Sequence, residues 1–333
     1  MRNLALCAAV ALTVSLAASA AADSWAAPKP ELYVDATGHF YVVIEPRDGG
    51  AAFTLYDGAP GAPSMAASKP KTRWEDTKPA KSRPGDRILA KGMLEYTPLD
   101  SIVSSKGHGF AVLETFGSVG YGDSVVLVSS AGVTVARKRL EELFTPAEIS
   151  SFPASVSSIW WLANAWIDEE EKTAVVVSVN GGAKAISFET GRVQPLGSAA
   201  LLRALTGDDH AARQSSSGIL SDGKHRESLP VLIALYEDAK TPPGVRLRAA
   251  VSLAAHGDKR GEHFFTRAIE PNPKNWKEDG LTFDDRRYAI WRTRDFFGDE
   301  ALPRLRKILE SPLCMFSDEA AGAMAGFGER AVP

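Results

Sequence analysis

Only two cysteines occur in the 333 residues, Cys7 and Cys314. Cys7 falls in an apolar N-terminal leader, so Cys314 is left alone and no disulfide framework holds the rest of the chain. An excess of charge of one sign is also missing. Lys and Arg number 38 against 41 Asp and Glu, for a net charge of −3. That balance excludes the broad basic footprint of a nucleic-acid binder and gives no pull toward an anionic membrane. Over residues 201–333 the two signs are equal at 20 each. After the leader, no apolar run is long enough to span a bilayer. Metal-binding spacing is absent too. His39, His108, His210, His225, His256 and His263 include no pair at i, i+4 with a catalytic Glu, and no Cys cluster supports zinc. No metal and no cofactor are expected.

The leader has the three parts of a secretory signal. Arg2 gives the positive start, Leu4–Leu16 is apolar, and Ala18-Ser19-Ala20 and Ala20-Ala21-Ala22 offer small-residue cleavage sites. Residues 1–22 are therefore expected to direct export to the periplasm or beyond, and to be removed. An uncleaved anchor is the alternative. No other membrane span is expected once the leader is gone.

From about residue 30 to 195 the pattern is strand-like. Phe40–Ile44, Gly109–Leu113, Asp123–Val128, Val133–Ala136, Thr173–Val179 and Ala185–Phe188 are rich in β-branched and aromatic residues and are bounded by glycine turns. Strand, short turn, strand and glycine turn recur about three times. This matches blade-like meanders, although a closed propeller typically needs four or more. A compact antiparallel domain is expected over 23–196, as a sandwich or an incomplete blade array. A short helix is expected at Leu140–Phe144 or Pro146–Ser150. Residues 59–85 hold several Pro, Lys and Ala with few large apolar residues, and read as a long mobile loop.

Several stretches invite a catalytic reading and do not carry it. Gly117-Ser118-Val119-Gly120-Tyr121-Gly122 has Phe116 where a nucleophile elbow needs glycine, and a strand rather than a helix follows it. It reads as a hairpin turn. Asp168–Glu171 lacks the alternate spacing of a calcium loop and reads as a solvated acidic turn. Trp160, Trp161 and Trp166 read as core and rim, with a carbohydrate platform as the alternative. The basic residues of Lys69–Arg87 are diluted by acids and read as a solubilising loop.

Helical signals begin at Ser198–Leu205 and centre on Val245–Gly261. Thr241-Pro242-Pro243 opens a helix. Val245, Ala249, Leu253 and Ala254 fall on one face, with Arg246 and Arg248 off it. Gly257 closes it, and a second helix is expected at His263–Ile269. A hairpin this short cannot bury its apolar face alone and needs neighbours. Variants recur at Gly298–Leu305 and Gly328–Pro333, with a further second-helix start at Glu227–Leu232. The matching positions Pro230, Glu262, Pro303 and Pro333 lie 32, 41 and 30 residues apart. A polar insertion at Pro271–Phe283 accounts for the long interval.

Val245-Arg246, Ala249-Ala250, Leu253 and Gly257-Asp258 make this region resemble HEAT repeats of the short bacterial kind, the PBS-lyase-like group. Ala320-Ala321, Met324 and Gly328 match in the last copy, and Arg213 and Leu220 in the first. The copy at Arg286–Gly298 departs, since Arg294 and Asp295 stand where Leu and Ala belong. The resemblance covers about 130 residues and implies an architecture rather than an activity.

The expected fold class is α+β in two domains. An antiparallel β domain is followed over 197–333 by a short HEAT-like solenoid. The expected function is an exported protein-interaction module. An envelope enzyme or a carbohydrate binder, with its site in the β domain, is the alternative. The expected partner is another protein, not nucleic acid. The last copy stops before a covering second helix, so Ala320, Ala321, Met324 and Phe327 are expected to lose cover. Met324 and Phe327 are the residues expected to dock on a partner.

Overall fold

The computed structural model describes residues 27–58, 85–222, 224–270, 279–311 and 315–328. The leader, loop residues 59–84, most of the polar insertion and Cys314 lie outside them.

The chain is mixed α+β. Three four-stranded antiparallel sheets come first in sequence, each an up-and-down meander. The first holds β1 (Glu31–Val34), β2 (Phe40–Arg47), β3 (Gly50–Asp57) and β4 (Arg87–Leu94). The second holds β5 (Pro98–Val103), β6 (Gly109–Thr115), β7 (Val125–Ser129) and β8 (Thr134–Lys138). The third holds β9 (Leu162–Asp168), β10 (Thr173–Ser178), β11 (Ala183–Ser187) and β12 (Val193–Pro195). Between the second and third sheets, where one short helix was expected at either of two positions, both positions are helical, as α1 (Leu140–Leu143) and α2 (Pro146–Ser150).

The three meanders share one turn. The residue closing or just following the first strand is Asp35, Ser104 or Asp168, and each is buried, at 1%, 0% and 5% exposure. Each turns its side-chain oxygen onto backbone N–H groups downstream. Asp35 accepts from His39 at 2.7 Å, Ser104 from His108 at 3.0 Å, and Asp168 from Glu170 at 3.1 Å. Short polar side chains replace missing backbone partners in this way. A left-handed residue then reverses the chain: Gly38, Gly107 and Lys172 have φ of 73°, 72° and 49°. The similarity of the meanders thus rests on a buried turn residue as well as on strand hydrophobicity. Where the chain enters β6, Gly109 has φ 139°, and a Cβ there would stand 2.0 Å from the Val128 carbonyl oxygen, so no side chain fits.

The chain divides into two compact units. One comprises the described residues up to Trp161 with Ser187–Val193, and the other Leu162–Ile186 with Gln194 onward. Most of the third meander therefore belongs with the helices, whereas the sequence placed a single boundary near residue 196. In the first unit, Val42, Ile44, Phe53 and Leu55 of the first sheet share a core with Phe110, Val112, Val126 and Val128 of the second. Phe53 and Phe110 meet edge to face at 5.1 Å.

The second unit continues through α3 (Ser198–Thr206), α4 (His210–Leu220), α5 (Leu229–Glu237), α6 (Pro243–Ala255), α7 (Glu262–Ala268), α8 (Phe283–Trp291), α9 (Thr293–Phe297), α10 (Ala301–Leu309) and α11 (Ser317–Ala325). Helix α6 is its centre. Val245, Ala249 and Leu253 point into one core, shared with α3, α4 and the third sheet's Trp166, Val175 and Val177. Leu247, Ala250, Val251 and Ala254 point into another, shared with α7 to α11. Gly257, at φ 88°, ends the run in the left-handed conformation. Arg248 corrects the one-face reading: it is fully buried, because α6 is covered all round. The departure noted at Arg294-Asp295 coincides with a break at Arg292, where α8 gives way to the short α9.

Asp168 is the second correction. It is no solvated acid, for the Arg203 guanidinium of α3 grips its carboxylate, Nη2 to Oδ2 at 2.8 Å and Nε to both oxygens at 3.2 Å. This two-pronged bond fixes the third sheet to the first helix of its unit. Arg203 is 34% exposed on its side chain, so solvent screens part of its worth. We expect Arg203→Ala to cost about 1–2 kcal/mol and Asp168→Ala more, since that change also strands the turn's N–H groups. Urea unfolding followed by Trp166 in the second unit should shift by these amounts, while the first unit's transition stays in place. Equal shifts in both transitions would contradict the assignment.

Candidate interaction surface and titratable groups

The expected docking residues are covered. Met324 is 7% exposed and Phe327 6%, and both belong to the core that α6 shares with the last helices. The Arg294 guanidinium lies over the Phe327 ring at 4.9 Å and donates to the Gly326 carbonyl at 2.8 Å. An arginine on an aromatic face is attracted by the ring quadrupole. Arg294 thus covers part of the Phe327 ring. Ala320 is also buried, while Ala321 is exposed. The surface expected at Met324 and Phe327 is thus part of the interior.

A different surface lies beside them. Along α8, Phe283, Arg287 and Trp291 stand four residues apart on one face, and all three are exposed, Phe283 at 43% and Trp291 at 52%. Each is nevertheless held. Trp291 lies across Gly322 of α11, where an added Cβ would meet its ring at 2.5 Å. Arg287 Nε donates to Glu319 of α11 at 2.8 Å. The Phe283 ring sits 4.7 Å from Phe316. Gly322 was not singled out from sequence, yet it is what lets a large indole approach a neighbouring helix closely.

Groups that would support chemistry are mostly interior. Trp161 and Trp166 are buried at 0% and 6%, so neither offers a sugar platform. Ser217 Oγ lies 2.6 Å from the Tyr288 hydroxyl and 3.3 Å from Ser252 Oγ, and burial raises the Tyr288 pKa. This network joins α4, α6 and α8 within the unit and has no exposed member among these three. His256 at the end of α6 is bonded through Nε2 to the Leu220 carbonyl at 2.9 Å. No group of three or more His, Cys, Asp or Glu is placed to hold a metal among the described residues.

In the first unit Glu114 is the unusual group. It has left-handed backbone, φ 65°, and 3% exposure. One carboxylate oxygen accepts the Gly120 N–H at 2.7 Å, pinning the glycine-rich turn. The other has no hydrogen-bond partner among the described residues. Burial pushes its pKa up to about 8, against the lowering effect of that one hydrogen bond. The charged form is disfavoured because a single donor does not replace water.

No protein-family model matches the chain, and no curated protein is significantly similar to it. A crystal structure of HIRA(644–1017) aligns over 86% of this chain and 98% of that chain, at 11% identity and a TM-score of 0.28. Similarity at that level establishes no common fold.

The Glu114 environment sets a pH dependence. Unfolded, its carboxyl ionises near the ordinary 4.5, and folded, near about 8. Between these values the folded chain holds a proton that the unfolded chain has lost, so stability falls as pH rises through the window. Glu114→Gln keeps an acceptor for Gly120 and cannot ionise. We expect the variant to match the wild type at pH 4 and to exceed it by about 2–4 kcal/mol at pH 8.5 in urea unfolding of the first unit. Parallel pH profiles for the two proteins would contradict the assignment.

Proposed function

We propose that this chain is an exported protein-interaction module, in which a HEAT-like helical stack presents an anchored aromatic and arginine row. Helices α4, α6, α8 and α11 neighbour one another in that order, and α5, α7 and α10 each pack beside a member of the row. Stacked hairpins of this kind build one rigid surface. The leader supports export. The observation that carries the reading is the row Phe283, Arg287 and Trp291: large, partly exposed and fixed by α11. Trp and Arg are the types that dominate binding energy at interfaces, and side chains already ordered lose little freedom on association. The row replaces Met324 and Phe327 as the contact surface.

The test is crosslinked affinity capture from the exported fraction, comparing wild type with Trp291→Ala and Phe283→Ser. Loss of about 2 kcal/mol at a hot spot lowers affinity roughly thirtyfold, so a partner retained by wild type should be lost from Trp291→Ala. Equal retention by all three proteins would contradict the reading. Each variant should unfold within about 1 kcal/mol of wild type, since these side chains are half exposed.

A further inference from the structure

Helices α8 and α11 run side by side in the same direction. Contacts in step along them show this: Phe283 with Phe316, Arg287 with Glu319 and Trp291 with Gly322. Just beyond the end of α8, Arg294 continues the series onto Gly326. The outer side of the pair is one face. Phe283, Arg287, Trp291 and Arg294 line one half of it, all exposed. Asp318, Ala321 and Ala325 of α11, spaced to share a helix face, line the other half and are exposed too. Charge divides along this face. At one end Asp284, Asp318 and Glu319 stand against a single base, Arg287, which bonds Glu319 and lies 3.7 Å from Asp284. At the other end Arg292 is paired with Asp295 at 2.7 Å. Arg294 adds a positive charge there, and its hydrogen bond goes to the neutral Gly326 carbonyl. The centre, Trp291 with Ala321 and Ala325, is uncharged. The two ends are about 12 Å apart, from the helical rise between Asp318 and Gly326.

A face that is acidic at one end, basic at the other and apolar between is complementary to itself when turned end for end. We propose that this face is the contact between two copies of the chain, related by a twofold axis beside Trp291 and Ala321. The inference rests on the reading of the aromatic and arginine row as a contact surface, and names its occupant. In the antiparallel arrangement the second copy sets its Arg294 against Asp318 and its Asp318 against Arg294, so the favourable pairing occurs twice. Closed dimers are built in this self-complementary way. A copy docked in the same direction would set acid against acid. An unrelated protein would need the matching charge pattern, whereas a second copy already carries it. Charges so placed fix orientation and choice of partner more than they add affinity. The attraction comes from the centre, where the Trp291 indole, 52% exposed, meets the small side chains of Ala321 and Ala325 of the second copy and leaves water.

The test uses the purified full chain with no other protein present, followed by sedimentation velocity up to about 0.5 mM, where even a weak dimer is populated. The wild type should show a monomer–dimer equilibrium. Asp318→Arg should weaken it at least about tenfold, because repulsion replaces attraction at both symmetric positions. Arg294→Asp should do the same, and the variant carrying both changes should return to within about threefold of wild type, since the charges are merely exchanged. A defect in folding would not be rescued in that way. Arg294 also covers Phe327, so if Arg294→Asp misfolds by circular dichroism the second variant is Ala321→Glu. It brings like charges together at the axis and should weaken the dimer as much. A wild-type chain that stays monomeric throughout would overturn the inference. So would a dimer left unchanged by Asp318→Arg, or a double variant as weak as its folded single parents. None of these results bears on capture of a different protein through Trp291, so the two readings fail separately.

Discussion

A helix buried on every side has no room for a free charge, yet α6 carries Arg248 at 0% exposure. Its partner is Asp285 of α8, 2.5 Å from Nη1, and the guanidinium also lies over the Tyr288 ring at 4.7 Å. Asp285 serves two structures at once. Its Oδ2 accepts the Thr282 N–H and hydroxyl in the capping box that starts α8, at 3.0 and 2.8 Å, while Oδ1 holds Arg248. Burial alone would raise its pKa, but the hydrogen bonds from Arg248 and Thr282 outweigh it and hold the carboxyl below its ordinary value. Gly244 belongs to the same arrangement. Its Cβ would fall 2.7 Å from the Asp285 carboxylate, and its carbonyl accepts from Arg248 Nη1 at 3.0 Å. Desolvating two charges is expensive, so such a pair adds little net stability over apolar residues. What it supplies is position, because the start of α8 meets α6 at one register.

From that register the exposed face follows. With Asp285 turned inward, Tyr288 and Ala289 enter the core, at 4% and 0% exposure, and Phe283, Arg287 and Trp291 take the outer face four residues apart. The acceptance of Trp291 by Gly322 then orients α11 against α8. The ends of the unit are held by comparable means. Arg203 grips Asp168 at one end, and Arg294 covers Phe327 at the other. In each case a guanidinium joins elements that apolar packing alone would leave free to slide.

The sequence showed some of these features clearly and hid others. The α6 run, its Gly257 stop and the helices expected at His263–Ile269 and Gly298–Leu305 were legible because helical periodicity and glycine punctuation are local signals, while the start expected at Gly328–Pro333 lies almost wholly outside the described residues. Strands β2, β6, β7 and β10 were legible because they are interior and β-branched. The first strand of each meander was not, since β1, β5 and β9 mix polar with apolar residues and draw their identity from pairing. The shared buried turn at Asp35, Ser104 and Asp168 escaped because Ser and Asp do not look alike as letters, although both accept from backbone N–H groups. Arg248 and Asp168 were misread for one reason: a charged residue reads as solvated unless its partner, 37 or 35 residues away, is known. Met324 and Phe327 were expected to be open, yet Met324 enters the core shared with α6 and the Phe327 ring is also covered by the Arg294 guanidinium.

The central claim is that the Arg248–Asp285 pair acts as a unit that pins α8 to α6. A double-mutant cycle with Arg248→Met, Asp285→Asn and the combination, followed by urea unfolding of the second unit, measures it directly. Each single change should cost about 3–5 kcal/mol, because it leaves a buried charge or its partner uncompensated. The double variant should recover at least about 1–2 kcal/mol of the summed losses. Additive losses across the cycle would contradict the account.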